Sequence, residues 1–185
     1  MMKTKLIDEE IKYTGLELAP HWIYKNFKIQ GDAIVAFLGE CEVKLTEMVD
    51  VEDVINNEPI YSKKMINFIC ETFNIGMVEG VLRQRLLITT LKEVLEQDYN
   101  IKVVRDGDDL FIDGKKLSVS IATKSATSVL IHTGVNIDST GAPVDAAELN
   151  SIKGIDTRKF AQKVIEKYAN EIEDIVLATT KVSGR

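Results

Sequence analysis

Between residues 101 and 138 the chain reverses direction three times, each time within a few residues, and no other stretch restricts the fold as much. Residues 101–105 and 110–113 read as strands joined by Asp106-Gly107-Asp108-Asp109. Asp113-Gly114 then leads into residues 115–123, and residues 124–127 turn the chain into 128–138. Asp-Gly between β-forming runs marks a tight hairpin, because the glycine accepts positive φ. Three such turns in succession predict an antiparallel meander.

The rest of the chain supplies more strand and several helices. From residue 33 to 45 every second position is apolar or small (Ala33, Val35, Phe37, Gly39, Cys41, Val43, Leu45), with Asp32, Glu40, Glu42 and Lys44 between them. A period of two predicts a long strand, or two strands bent at Gly39. Residues 3–8 read as an edge strand, and residues 20–27 as a short helix opened by Pro20. Ser62 is placed to cap a helix running to Phe73, with Met65, Ile66, Ile69 and Phe73 on one face. Residues 77–96 form a longer helix whose inward stripe is Met77, Val81, Gln84, Ile88, Leu91 and Leu95. Gln84 interrupts that stripe, either as an amide satisfied by a neighbour or as a ligand contact. After Gly141-Ala142-Pro143 a helix is expected over residues 145–151. Another follows from the N-cap Asp156, turning Phe160, Val164, Tyr168, Ile172 and Ile175 inward.

Strands and helices are thus segregated, which argues an α+β class: a mainly antiparallel mixed sheet with helices packed on a face. One domain over residues 1–178 and a polar tail over 179–185 are expected. Apolar residues make up 45% and charged residues 28% of the chain, enough apolar surface for a core. Twenty-nine acidic against 23 basic residues leave a net charge of −6. The five arginines lie in no basic run, which argues against general affinity for nucleic acid or anionic membrane. No run of 18 apolar residues exists to span a bilayer, and residues 1–10 lack the apolar segment of a signal peptide. Cys41 and Cys70 stand in no Cys-x-x-Cys and read as buried core thiols, so a cytoplasmic location and no metal site are expected. Glu40, Glu42, Asp50, Glu52 and Asp53 read as a solvated acidic rim.

Chemistry concentrates in the last hairpin. Leu117, Val119 and Ile121 share one face of the first arm, and Lys116, Ser118, Ser120 and Ala122 the other. In the second arm Leu130, His132, Gly134 and Asn136 share a face. With Thr123 opposite Thr127, Ser120 faces Leu130, Ser118 faces His132, and Lys116 faces Gly134. One sheet face then carries a cation, two hydroxyls, an imidazole and a glycine, with Asn136 just beyond. Small residues leave room above the sheet, and a lysine neutralises a carboxylate or phosphate there. The alternative is a polar face open to water. His21 and Trp22 have two readings, a capped aromatic anchor or a wall of the cleft. Asp109 is either a turn former or the carboxylate that orients Lys116.

The run Asp108-Asp109-Leu110-Phe111-Ile112-Asp113-Gly114-Lys115-Lys116-Leu117 resembles the Asn-Asp-Leu…Gly-x-Lys-Ile motif of lipoate–protein ligases, with Asp109, Gly114 and Lys116 on the motif. Residues 131–137 are similar to the Gly-x-Asn-Val strand of biotin ligases, and Gly154-Ile155-Asp156-Thr157-Arg158 to another biotin-ligase segment. Within this superfamily, akin to class II synthetases, the chain looks closest to an uncharacterised archaeal and bacterial family. The shared features are His21-Trp22-x-Tyr24-x-Asn26-Phe27, Gly31-Asp32 with the strand from Val35 to Val43, and Lys116-Leu117-Ser118-x-Ser120-Ile121-Ala122-Thr123. The resemblance implies an acyl ligase or transferase with Lys116 at the acyl-adenylate or acyl carbonyl; the residue pattern adds His132 as the second catalytic candidate and Ser118, Ser120, Gly134, Asn136, Asp109, His21 and Trp22 as ligand contacts. A small carboxylate is the expected ligand and a homodimer the expected assembly; the cofactor is left open, ATP being what the superfamily suggests without a nucleotide-loop motif here to support it. The Arg- and Gly-rich nucleotide loop of the ligases has no counterpart before Asp108, and residues 137–153 lack the cysteine of octanoyl transferases. A non-catalytic ligand-binding or regulatory module is the other reading, and a subunit whose cleft a partner protein fills is a third.

Overall fold

The structure, a computed structural model, describes residues 1–184. Its elements are β1 (Lys3–Leu6), α1 (Trp22–Phe27), β2 (Ala33–Val43), α2 (Val51–Asn56), β3 (Ile60–Phe73), α3 (Met77–Tyr99), β4 (Val104–Asp106), β5 (Asp109–Ile112), β6 (Lys115–Lys116), β7 (Ser118–Lys124), β8 (Ser128–Asp138) and α4 (Thr157–Ala178). Five strands form the main sheet in the order β1-β2-β3-β8-β7, and β4-β5-β6 form a separate small sheet. The main sheet is antiparallel except at its edge, where β1 runs parallel to β2.

Both faces of the sheet are covered. On one face Ile34, Ala36, Ile66, Phe68, Cys70, Ile131 and Val135 meet Leu87, Ile88 and Leu91 of α3 and Phe160, Val164 and Tyr168 of α4. On the other, Ala33, Val35, Phe37, Cys41, Met65, Ile69 and Leu130 are covered by Ile7, Tyr13, Leu18 and Ile23, from the segment between β1 and β2. That segment crosses β2 so closely that a Cβ on Gly39 would lie 1.9 Å from the Ile11 carbonyl oxygen. Ile11 N–H donates to Leu38 O, and Tyr13 N–H to Glu40 O, so the crossing is hydrogen-bonded to the strand it passes. Ladder register shifts at Gly39/Cys41 on one side of β3 and at Lys64/Met65 on the other. Such bulges bend strands and sharpen twist.

Five expectations are corrected. Residues 62–73 form strand, not helix: β3 is the central strand, paired on both edges. Its side chains are buried on both faces, so its apolar residues show no period of two, and a short continuous apolar run fits either element. Residues 145–151 yield only a 3-10 turn, Leu149–Ser151. Ile175 lies exposed, because the inward stripe of α4 ends at Ile172. The strand expected over 115–123 breaks at Leu117, and that over 101–105 shrinks to Val104–Asp106. In α3 the helix meets the sheet through Gly80, whose Cβ position is 2.5 Å from Val129 Cγ1, while Met77 and Val81 are half-buried. One helix has no counterpart in the sequence reading: Asp50 accepts from the N–H groups of Glu52 and Asp53 and caps α2, so part of the acidic rim is helical. The last helix ends at Ala178, and Arg185 lies outside the described residues.

Gly39→Ala is expected to destabilise the protein by about 1–3 kcal/mol, because backbone rather than a movable side chain occupies the space. Urea unfolding followed by circular dichroism measures it; an unchanged midpoint contradicts the crossing geometry.

Candidate functional site

The sheet face opposite α3 and α4 carries a cavity of about 550 Å³, within the usual range for small-molecule sites. Its floor is sheet: Met65 of β3, His132 and Asn136 of β8, Val119 and Ile121 of β7. Tyr13 and Leu18 close one side, α2 and its flanks another, and residues 142–146 a third. Lys116 and Asp109 stand together at the rim.

The β7–β8 hairpin registers three residues away from the expected pairing. Ser120 lies opposite Thr133 and Ile121 opposite His132. An odd shift exchanges faces. His132 and Gly134 therefore share their face with Val119 and Ile121, while Ser118, Ser120 and Ala122 turn toward α3. The four-residue turn sets this register: Ser125 N–H donates to Ser128 O, and the Ser125 hydroxyl accepts from Thr127 and Ser128 N–H. The small side chains on β7 make room for a helix rather than for a ligand. Both serines still border the cavity, but their hydroxyls are engaged. Ser118 Oγ accepts from Leu110 N–H at 3.0 Å, and Ser120 Oγ donates to His132 O at 3.1 Å. Gln84 Nε2 donates to Asp108 Oδ2 at 2.8 Å and to Ser120 Oγ at 3.1 Å, so the polar break in α3 ties helix, turn and sheet together.

The strand break at Leu117 brings Lys116 to the cavity despite the shift. Its carbonyl accepts from Ala147 N–H at 2.9 Å, and its Nζ lies 3.0 Å from Asp109 Oδ2. Partial burial pushes the Asp109 carboxyl above its ordinary value, opposed by the Lys116 ammonium. Burial, aided by Asp50 and Glu58, also pushes Asp53 of α2 upward, with Lys116 again opposing. His132 is buried; its Nε2 is 3.0 Å from Asn67 Oδ1, and Tyr13 stacks on its ring at 3.7 Å with an interplanar angle of 9°. Burial pulls the imidazole from its ordinary 6.5 down to about 3, so it is neutral. As placed, Nε2 carries the proton toward Asn67, and Nδ1 is left as a bare acceptor with no protein partner. Asn136 lines the cavity and donates through Nδ2 to Ala147 O at 3.2 Å. Gly134 lies under the floor, where a Cβ would fall 2.8 Å from Met65 Sδ.

His21 and Trp22 do not border this cavity. His21 begins α1 at φ 63°, its N–H bonded to the buried Glu71 carboxylate and its ring stacked on Phe73. Trp22 packs on Phe27 and Phe37. Tyr13 and Asn67 escape the sequence reading, and Asp53 reads there only as part of a solvated rim. Tyr13 and Asn67 reach His132 only through tertiary contact, and Asp53 comes near Lys116 only once α2 folds. Cys41 is buried, and burial pushes its thiol up to about 12, which suits a core residue better than a nucleophile. Among the described residues no three His, Cys, Asp or Glu side chains are grouped to hold a metal, and no helix is long and apolar enough to cross a membrane.

The His132 geometry has a pH consequence. A histidine with a depressed folded pKa stabilises the fold above its unfolded value, and that stability is lost as pH falls from 6.5 toward 3. The loss amounts to about 1.4 kcal/mol per pH unit for one proton. His132→Gln is expected to remove this part of the acid sensitivity, measured by urea unfolding between pH 7 and 4. In the wild type, nitrogen-15 NMR should show a neutral ring protonated at Nε2 at pH 5; an imidazolium there contradicts the burial argument.

The family description "Domain of unknown function (DUF366)" matches residues 2–183. An uncharacterized protein of Methanocaldococcus jannaschii is 42% identical over 182 residues, covering 94% of this chain and 81% of its own length. A solved protein of unknown function from Pyrococcus horikoshi superposes with a TM-score of 0.94 at 38% identity, covering all of both chains. A mutant biotin protein ligase from Aquifex aeolicus, in complex with biotin, superposes with a TM-score of 0.60 at 16% identity over 92% of this chain and 70% of that one. The fold is therefore that of the biotin- and lipoate-ligase catalytic domain, as the hairpin motifs implied. With nearly every residue inside the match, the chain is a member of the DUF366 family, which shares its architecture with those ligases.

Proposed function

We propose that the cavity binds a small carboxylic acid or its activated acyl ester, with the acyl head at the Lys116 ammonium and the apolar body over Met65, Val119 and Ile121. The observation that supports this most directly is the placement of Lys116. It is held by Asp109 and by the backbone of residue 147, at the rim of a hollow with a largely apolar floor. A cation fixed before the ligand arrives needs little reorganisation to meet negative charge. Asn136 and the imidazole of His132 offer hydrogen bonds from the floor, and Asp109 is the positioning partner of Lys116. Ser118 and Ser120 contribute by holding strand and turn in place. The biotin ligase of the same fold holds biotin, which supports a ligand of this size and kind here.

Whether the site also performs acyl transfer is a separate matter. Lys116 is the one cationic side chain lining the cavity among the described residues, and no arginine lines it. That observation favours the second reading, a ligand-binding module on a ligase fold, because a triphosphate would meet a single positive charge.

A panel of medium-chain acids, with biotin and lipoate included, is expected to raise the melting temperature, and Lys116→Ala to weaken the best binder by about tenfold or more. Absence of stabilisation by every acid contradicts the proposal. ATP–pyrophosphate exchange with the best acid, lost in Lys116→Ala, marks the enzyme; binding without exchange marks the module.

A further inference from the structure

The charge lining this cavity is lopsided. Glu47, Asp50, Asp53, Glu58, Asp108 and Asp109 contribute six carboxylates against one ammonium, that of Lys116. Asp109 is paired with Lys116 and Asp108 with Arg85, and Asp50 caps α2. Among the described residues Glu47, Asp53 and Glu58 form no ion pair. A plain monocarboxylate that enters meets a surplus of its own charge.

The floor carries a second, independent mark of the same preference. His132 is 3% exposed, lines the cavity, and bonds Asn67 through Nε2. Its Nδ1 has no protein partner, and with Asn67 Oδ1 facing Nε2 it is presented to the cavity as an acceptor. Acidic rim and bare imidazole nitrogen both ask for N–H groups.

We propose that the ligand is an aminocarboxylic acid: its carboxylate lies at Lys116, its ammonium is held by Asp53 and Glu58, and His132 Nδ1 accepts a further N–H or O–H from it. This inference rests on the cavity being a small-carboxylate site and narrows the class of acid. A ligand that brings its own cation turns the surplus of carboxylates from a barrier into the basis of selection.

Isothermal titration with matched probes of one chain length tests it: octanoate, 8-aminooctanoate and octanedioate, with the six-carbon set beside them. The aminocarboxylate is expected to bind at least about tenfold tighter than the monocarboxylate, and the dicarboxylate most weakly. Asp53→Asn with Glu58→Gln should abolish the preference for the amine while leaving the monocarboxylate bound. Both residues lie on or beside the exposed helix α2, and circular dichroism verifies that the variant is folded. Equal or tighter binding of octanoate overturns this inference and leaves the carboxylate site standing. No binding by any probe, by titration or by ligand-observed NMR, overturns both.

Discussion

The ladder along β3 is the constraint on which everything else hangs. Fourteen residues pair with β2 on one edge and β8 on the other, and side chains on both faces are buried. Helices α3 and α4 pack against one face and the crossing segment between β1 and β2 against the other. Hydrophobic burial on two sides is affordable only because the backbone polar groups of the central strand are matched within the ladder. Polar side chains on this strand are partnered in part: Asn67 Oδ1 meets His132 while its buried Nδ2 has no partner, and Glu71 accepts from Ser128 and the start of α1. The floor of the cavity is an extension of this arrangement, since Met65, His132 and Asn136 sit on neighbouring paired strands.

The bulges beside β3 shape the hollow. Register shifts at Gly39/Cys41 and at Lys64/Met65 occur at nearly the same height of the sheet, so strands beyond them bend away from the floor. Tyr13 crosses over at this height, bonded to β2 and stacked on His132. The imidazole is therefore fixed from two directions and kept out of water, which explains both its neutrality and its single free nitrogen. Lys116 reaches the same space by a different route, from a two-residue strand of the small sheet, where it pairs with Asp109.

Much of this is legible in the sequence, and the failures have physical causes. Asp-Gly turns and the alternation from Ala33 to Val43 announce strands because their local chemistry leaves few options. The α+β class and the ligase-like architecture follow from them and from the motif around Lys116. β3 reads as a helix because a strand buried on both faces loses the alternation that identifies strands. Its wealth of β-branched and aromatic residues (Ile60, Tyr61, Ile66, Phe68, Ile69, Thr72, Phe73) is the available clue. The hairpin register slips because Ser125 closes the turn through its own side chain, and an odd slip reverses faces. His132 nevertheless stays in the cavity, while the two serines exchange an expected ligand for helix α3. Tyr13, Asn67 and Asp53 have no local signature: each matters only through residues far away in the chain.

The cavity is assembled from two kinds of material. Its base belongs to paired strands whose side chains are locked on both sides, whereas its border is a six-residue helix with no buried residue, a turn and a loop. Apart from Tyr13 and Leu18, which belong to the core, that border lies outside the buried strands, so its side chains can change at little cost to the ladder beneath. Members of such a lineage can drift in what they hold while keeping one scaffold.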